Sequence, residues 1–131
     1  MLDDRLPTVL IVDDDLAVRD WLRVSLALRG WVVTTAASGA EALGVATTSA
    51  PDLVIVDYEM PGMSGLACAK ELRDRGMSTP IFLFSAFIDS ERTDEARRLD
   101  VQPVSKVDQP ALYRAIDGLY EELVTHAAAT A

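Results

Sequence analysis

Short runs of β-branched and aliphatic residues alternate along the chain with longer segments of helical period. Val9–Val12, Trp31–Thr35, Leu53–Val56 and Ile81–Phe84 are largely apolar, and Val101–Ser105 is a weaker fifth run. Unbroken apolar runs of this length suit strands covered on both faces, as parallel sheets require. Between them the pattern predicts helices over Leu16–Arg29, Gly39–Thr48, Ser64–Arg75, Ser90–Leu99 and Pro110–Thr125. Gly30 and Gly76 stand where helix C-caps belong. Pro110 suits a first helical turn, with Asp108 or Gln109 as its cap, and Asp15 is placed to cap the first helix. The last helix carries a buried stripe, Leu112, Ile116, Leu119 and Leu123, at helical spacing. Five uninterrupted βα units make a doubly wound α/β sheet, whose ligands bind at the carboxyl ends of the strands.

Composition narrows this picture more than it changes it. The chain has 131 residues, half of them hydrophobic and a quarter charged, with a formal net charge of −9. One domain with a substantial core fits that length. So acidic a surface repels nucleic acid and anionic membranes, so neither is an expected partner, whereas a cation or a basic protein is. Cys68 is the only cysteine and forms no internal disulfide, which suits a reducing cytoplasm. The first residues lack the pattern of a signal peptide, and no apolar run approaches a membrane span.

The strand ends carry the chemistry. Val9–Val12 runs into Asp13, Asp14 and Asp15; Leu53–Val56 runs into Asp57; Ile81–Phe84 ends in Ser85; the fifth segment ends in Lys106. With the first and third strands adjacent, Asp13, Asp14 and Asp57 converge. Gathered carboxylates repel one another unless protonated or bridged by a cation, and Mg²⁺ suits a site of carboxylates, a carbonyl and waters. Each residue alone has a plainer reading: Asp15 a helix cap, Ser85 a turn residue, Lys106 a surface lysine. Together, carboxylates, a hydroxyl and an amine make a phosphoryl-transfer set of nucleophile, metal site, cation and hydrogen-bond donor.

Val12-Asp13-Asp14, the stretch Asp52 to Gly65 (DLVIVDYEMPGMSG), Phe84-Ser85-Ala86 and Ser105-Lys106 together resemble the receiver domains of two-component response regulators. The resemblance covers about residues 8–125, leaving 1–7 as an extension and 126–131 as a tail expected to fray. It implies a flavodoxin-like fold with strand order 2-1-3-4-5 and five helices. It also implies that Asp57 accepts a phosphoryl group from a histidine kinase or phosphotransfer protein. Asp14 and Asp57 would bind Mg²⁺ directly, Asp13 through water, and Glu59 through its backbone carbonyl. Lys106 would pair with one phosphoryl oxygen, and Ser85 would move to bond another. The downstream partner would be a protein target; a second copy of this chain is a separate candidate for contact, through the first helix.

Several positions depart from the family pattern. Receivers usually carry an aromatic residue three positions before the lysine, and here that position is Pro103. Proline removes a backbone donor, which favours an edge or irregular strand. The lysine is usually followed by proline in a cis peptide; here Val107 follows, and a trans bond is expected because cis costs about 3–4 kcal/mol without proline. The segments flanking Lys106 also align about one residue short. On the first helix, Val18, Leu22 and Leu26 form the expected core stripe, while Ala17, Trp21, Val24 and Leu28 form a second, either further core or a contact surface. The fourth helix is mostly charged, with only Ala96 and Leu99 to bury, and reads as solvated.

Two other functions fit parts of the pattern. Asp13-x-Asp15 after a buried strand is similar to Mg²⁺-dependent aspartyl-phosphate phosphatases of the haloacid dehalogenase type. The expected threonine is missing, 131 residues leave no room for a cap domain, and Asp57 would have no role. A receiver fold that signals by contact alone is the second; turnover of a phosphomonoester would mark the first, and failure to take up phosphate the second. No output domain follows Thr125, which implies either a single-domain regulator or part of a longer protein. Glu59 and Phe87 hold the two flanking positions that tune phosphoryl lifetime in receivers. A carboxylate and a bulky aromatic there disfavour an attacking water, so isolated phosphoprotein is expected to lose its label slowly. Rapid loss in a label-decay measurement would contradict this.

Overall fold

The computed structural model describes residues 6–86 and 89–130, with no side-chain description for 127–130. Five parallel strands lie in the order β2-β1-β3-β4-β5: β1 Thr8–Val12, β2 Val32–Ala36, β3 Leu53–Asp57, β4 Ile81–Ser85 and β5 Gln102–Ser105. They alternate with α1 Leu16–Ala27, α2 Gly39–Ser49, α3 Gly65–Asp74, α4 Ser90–Arg98 and α5 Gln109–Thr130. This is the flavodoxin-like topology that the sequence implies.

Alternation along the central strands divides the core into two layers. Leu10, Val12, Val54, Val56, Ile81 and Leu83 face α2, α3 and the buried Ala96 of α4. Val9, Ile11, Leu53, Ile55, Phe82 and Phe84 face α1 and α5, meeting Leu22, Leu26, Leu112 and Ile116. Every residue of β3 and β4 is buried, which explains why their sequences show no polar alternation. The two edge strands are more open, and Pro103 lies on one of them, β5, where its missing N–H costs least.

Capping follows the local sequence. Asp15, Ser38, Ser64 and Asp89 each accept a backbone N–H at the start of a helix, and Asp108 does so for α5 through the Ala111 amide. Gly30 and Gly76 adopt positive φ just beyond α1 and α3. At Gly30 a Cβ would lie 2.6 Å from the Tyr120 hydroxyl, so close approach of α5 adds to the conformational demand. No cis peptide occurs among the described residues, as expected after Lys106.

Two expectations change. The last helix continues to Thr130 instead of ending at Thr125. Alanine, which dominates that stretch, has the strongest helix propensity. The second stripe of α1 splits: Trp21 packs against Phe84 and Tyr113, whereas Ala17, Val24 and Leu28 are exposed. A broad ring reaches the core from a position where a short side chain does not.

Arg73, near the end of α3, holds four backbone carbonyls. Its Nε donates to Leu99 O at 2.8 Å, Nη1 to Met77 O and Thr79 O, and Nη2 to Asp100 O at 2.9 Å. These bonds tie α3 to the loop before β4 and to the α4–β5 turn, where Asp100 takes a left-handed φ of 55°. Arg73→Ala is expected to cost roughly 3 kcal/mol, since it leaves several part-buried acceptors unmatched. Urea unfolding checks this; a loss below about 1 kcal/mol would mean that water replaces the guanidinium.

Candidate functional site

Register brings the strand-end residues together. Val12 pairs with Val56 across β1 and β3, so Asp13 follows one strand and Asp57 closes the next. Ala36 O accepts from the Asp13 amide, and Phe84 O accepts from the Tyr58 amide. Ligand oxygens of Asp13, Asp14 and Asp57 all lie within 4.8 Å of one another. Asp13 and Asp57 are buried, while Asp14 is exposed at the rim.

Lys106 reaches this group from the end of β5. Its Nζ lies 2.6 Å from Asp57 Oδ1 and 3.8 Å from Asp13 Oδ2, and it sits 5.4 Å from the Phe84 ring centroid. The Lys106 amide donates to Ser85 O, which fixes the lysine's backbone to the end of β4. Ser85 is buried, one residue past the Phe84–Asp57 pair. The Glu59 amide approaches Asp57 Oδ1 at 3.4 Å, and its side chain is exposed. Phe87 lies outside the described residues.

The electrostatics are those of crowded acids. Burial, first of all, raises the Asp13 carboxyl to about 6; the Asp15 amide on Oδ1 and nearby Lys106 oppose this, while the charges of Asp57 and Asp14 add to it. Asp57 is also raised by burial, against the stabilising bond from Lys106. Asp13 Oδ2 is buried without a hydrogen-bond partner. An orphaned, buried carboxylate oxygen beside two further carboxylates is a donor set that a hard divalent cation satisfies.

Three further residues shape the site, and sequence reasoning gave none of them a role. Gly65 opens α3 where a Cβ would collide with the Asp57 carbonyl oxygen; its amide donates to Tyr58 O. A glycine at the first position of a helix was the available signal. The Arg92 guanidinium of α4 lies 4.0 Å from the ring centroid of Tyr58, directly after Asp57. Arg19 Nη1 donates to the Asp13 carbonyl at 2.7 Å. Cys68, by contrast, is a packing residue: burial pushes its thiol up to about 11, far from reactivity at neutral pH.

A doubly wound sheet with an acid cluster and a lysine at its carboxyl edge defines the class of protein: an α/β domain of the flavodoxin-like fold. The family model for the response regulator receiver domain matches residues 9–116. Response regulator MprA of Mycobacterium sp. (strain KMS) is 42% identical over 78 residues, 60% of this chain and 34% of MprA. The match thus spans about a third of the length of such curated relatives. Among solved structures, chemotaxis protein CheY4 of Vibrio cholerae superposes with a TM-score of 0.81 at 28% identity, covering 88% of this chain and 99% of that one. Response regulator TrrA of Thermotoga maritima, in complex with Mg²⁺-BeF, gives 0.76 at 33% identity, covering 87% and 99%. The chain belongs to the response regulator receiver family.

The raised Asp13 pKa has a measurable sign. As pH rises above 3.8 the unfolded chain ionises this carboxyl first, so the folded form binds more protons and its stability declines up to about pH 6. Asp13→Asn keeps the Oδ1 acceptor and removes the charge. Without divalent cation it is expected to gain about 3 kcal/mol near neutral pH and nothing below about pH 4. Urea unfolding at both pH values tests this; an equal effect at the two would exclude the charge as its cause.

Proposed function

We propose that this domain is a phosphorylation switch whose acceptor is Asp57. The observation that carries the reading is the contact of Lys106 Nζ, 2.6 Å from Asp57, beside the three convergent carboxylates. Asp14 and Asp57 would hold Mg²⁺ directly, with Asp13 acting through water and Glu59 through its backbone carbonyl. When bound, the ion neutralises charge on the transferring phosphoryl group. The related Thermotoga regulator, solved with Mg²⁺-BeF, supports the assignment.

An Asp57 carboxylate oxygen attacks the phosphorus of a phosphohistidine on a histidine kinase or phosphotransfer protein. The new O–P bond forms as the P–N bond breaks, and the imidazole nitrogen leaves with the electron pair and takes a proton. Lys106 gives up its ion pair with the free carboxylate to pair with a phosphoryl oxygen. The Ser85 hydroxyl donates to another, drawing the loop after β4 towards the site. Later attack by water breaks the acyl phosphate and resets the switch. In this role the domain turns over no other substrate and alters its contacts with a downstream protein, in the cytoplasm.

The energetics suit a switch. Moving a two-state equilibrium from mostly off to mostly on takes about 5.5 kcal/mol of differential interaction. Two charge-assisted bonds, from Ser85 and Lys106, at roughly 1.5–3 kcal/mol each, come close to that.

Incubation with Mg²⁺ and acetyl phosphate, followed by intact mass measurement, is expected to show one phosphate adduct on the wild type and none on Asp57→Asn. An adduct on both would move the acceptor elsewhere. Absence of any adduct, with phosphoramidate and beryllofluoride also failing, would favour a receiver fold that signals by contact alone.

A further inference from the structure

The first turn of α1 carries a cation next to its acidic cap, Asp15. Helix N-termini favour anions, because aligned peptide dipoles leave positive charge there. Yet the turn Leu16–Arg19 holds no acid and carries a cation, Arg19, whose own amide donates to the O of the cap residue, Asp15. The half-buried guanidinium turns back past the cap and donates to the Asp13 carbonyl at 2.7 Å. A solvated arginine would be expected to extend along the helix, as Arg23 does one turn later, pairing with Asp20 at 3.3 Å. Arg19 instead directs its charge at a neutral oxygen on the backbone of the acid cluster.

That oxygen belongs to Asp13, whose two carboxylate oxygens lie in different environments. Asp13 Oδ1 is held by the Asp15 amide, while Oδ2 is buried without a hydrogen bond. The Asp13 amide is fixed to Ala36 O and its carbonyl to Arg19, so both sides of its backbone are pinned. With those restraints the side chain meets Asp14 and Asp57 without a search. The guanidinium also brings a positive charge to a segment where Asp13, Asp14 and Asp15 are consecutive.

We propose that Arg19 is a positioning residue for divalent cation binding: by holding the Asp13 carbonyl it sets the carboxylates in their binding arrangement. This rests on the reading of Asp13, Asp14 and Asp57 as the Mg²⁺ site. Groups that orient metal ligands at one remove commonly change affinity 10- to 100-fold when lost, about the range expected here.

The test is Mg²⁺ titration by calorimetry of the wild type, Arg19→Gln, Arg19→Lys and Arg23→Gln, with thermal melting of each metal-free protein. Arg19→Gln is expected to bind Mg²⁺ about tenfold or more weakly. Arg19→Lys should recover part of that loss and Arg23→Gln should match the wild type, all with similar metal-free melting. Arg19→Gln binding within about twofold of wild type would overturn the positioning role and leave the metal site standing. A loss of affinity matched in Arg23→Gln would also overturn it, since any cation on α1 would then serve. No Mg²⁺ binding by the wild type would overturn the reading of the site itself.

Discussion

Two buried carboxylates side by side are the constraint around which the rest is arranged. Asp13 and Asp57 lie buried at the ends of neighbouring central strands, and the charge of Asp57 adds to the burial that raises the proton affinity of Asp13. Folding alone would not select such a pair, because neutral residues would fit there at lower cost. The surroundings compensate in a particular way: one amine at 2.6 Å, one amide on Asp13, one on Asp57, and a guanidinium on the adjacent backbone. The arrangement offsets part of the repulsion and leaves one carboxylate oxygen unmatched. Strain stored in this manner is characteristic of sites built to take up a ligand.

Much of this was legible in the chain because parallel strands, buried on both faces, leave nearly continuous apolar runs. Their polar stops, Asp13, Asp57, Ser85 and Lys106, then fall at one edge of the sheet by topology alone. Boundaries were less clear. Trp31 reads as the first residue of β2 but precedes it, since its buried ring belongs to the α1–α5 layer. The end of α5 was hidden because alanine propensity, not an amphipathic stripe, carries it past Thr125. Contacts to backbone oxygens were the least legible: Arg73 and Arg19 look like ordinary helix-surface arginines until the carbonyls they hold are seen.

The face that would report the state of the site differs from the family pattern. With Pro103 in place of the usual aromatic, β5 offers no ring to reorient. On the neighbouring α4, Arg92 instead rests on Tyr58 and links that helix to the residue following Asp57. Lys106 and Phe84 make a comparable cation–aromatic contact across the sheet, beside Trp21. Aromatic groups therefore still border the acid cluster on both layers, supplied by β3 and β4.

Gly65 gives the site a mechanical property. The first residue of α3 sits against the Asp57 carbonyl with no room for a methyl group. The helix and the backbone of Asp57, the proposed acceptor, therefore touch as rigid parts do, without a compressible side chain between them. In-line chemistry tolerates about half an ångström of misplacement, so the seating of α3 would become part of the tolerance on the proposed phosphoryl transfer. That seating is set by Leu66, Ala69 and Leu72, apolar residues of the buried core. The accuracy of the charged site is machined in oil.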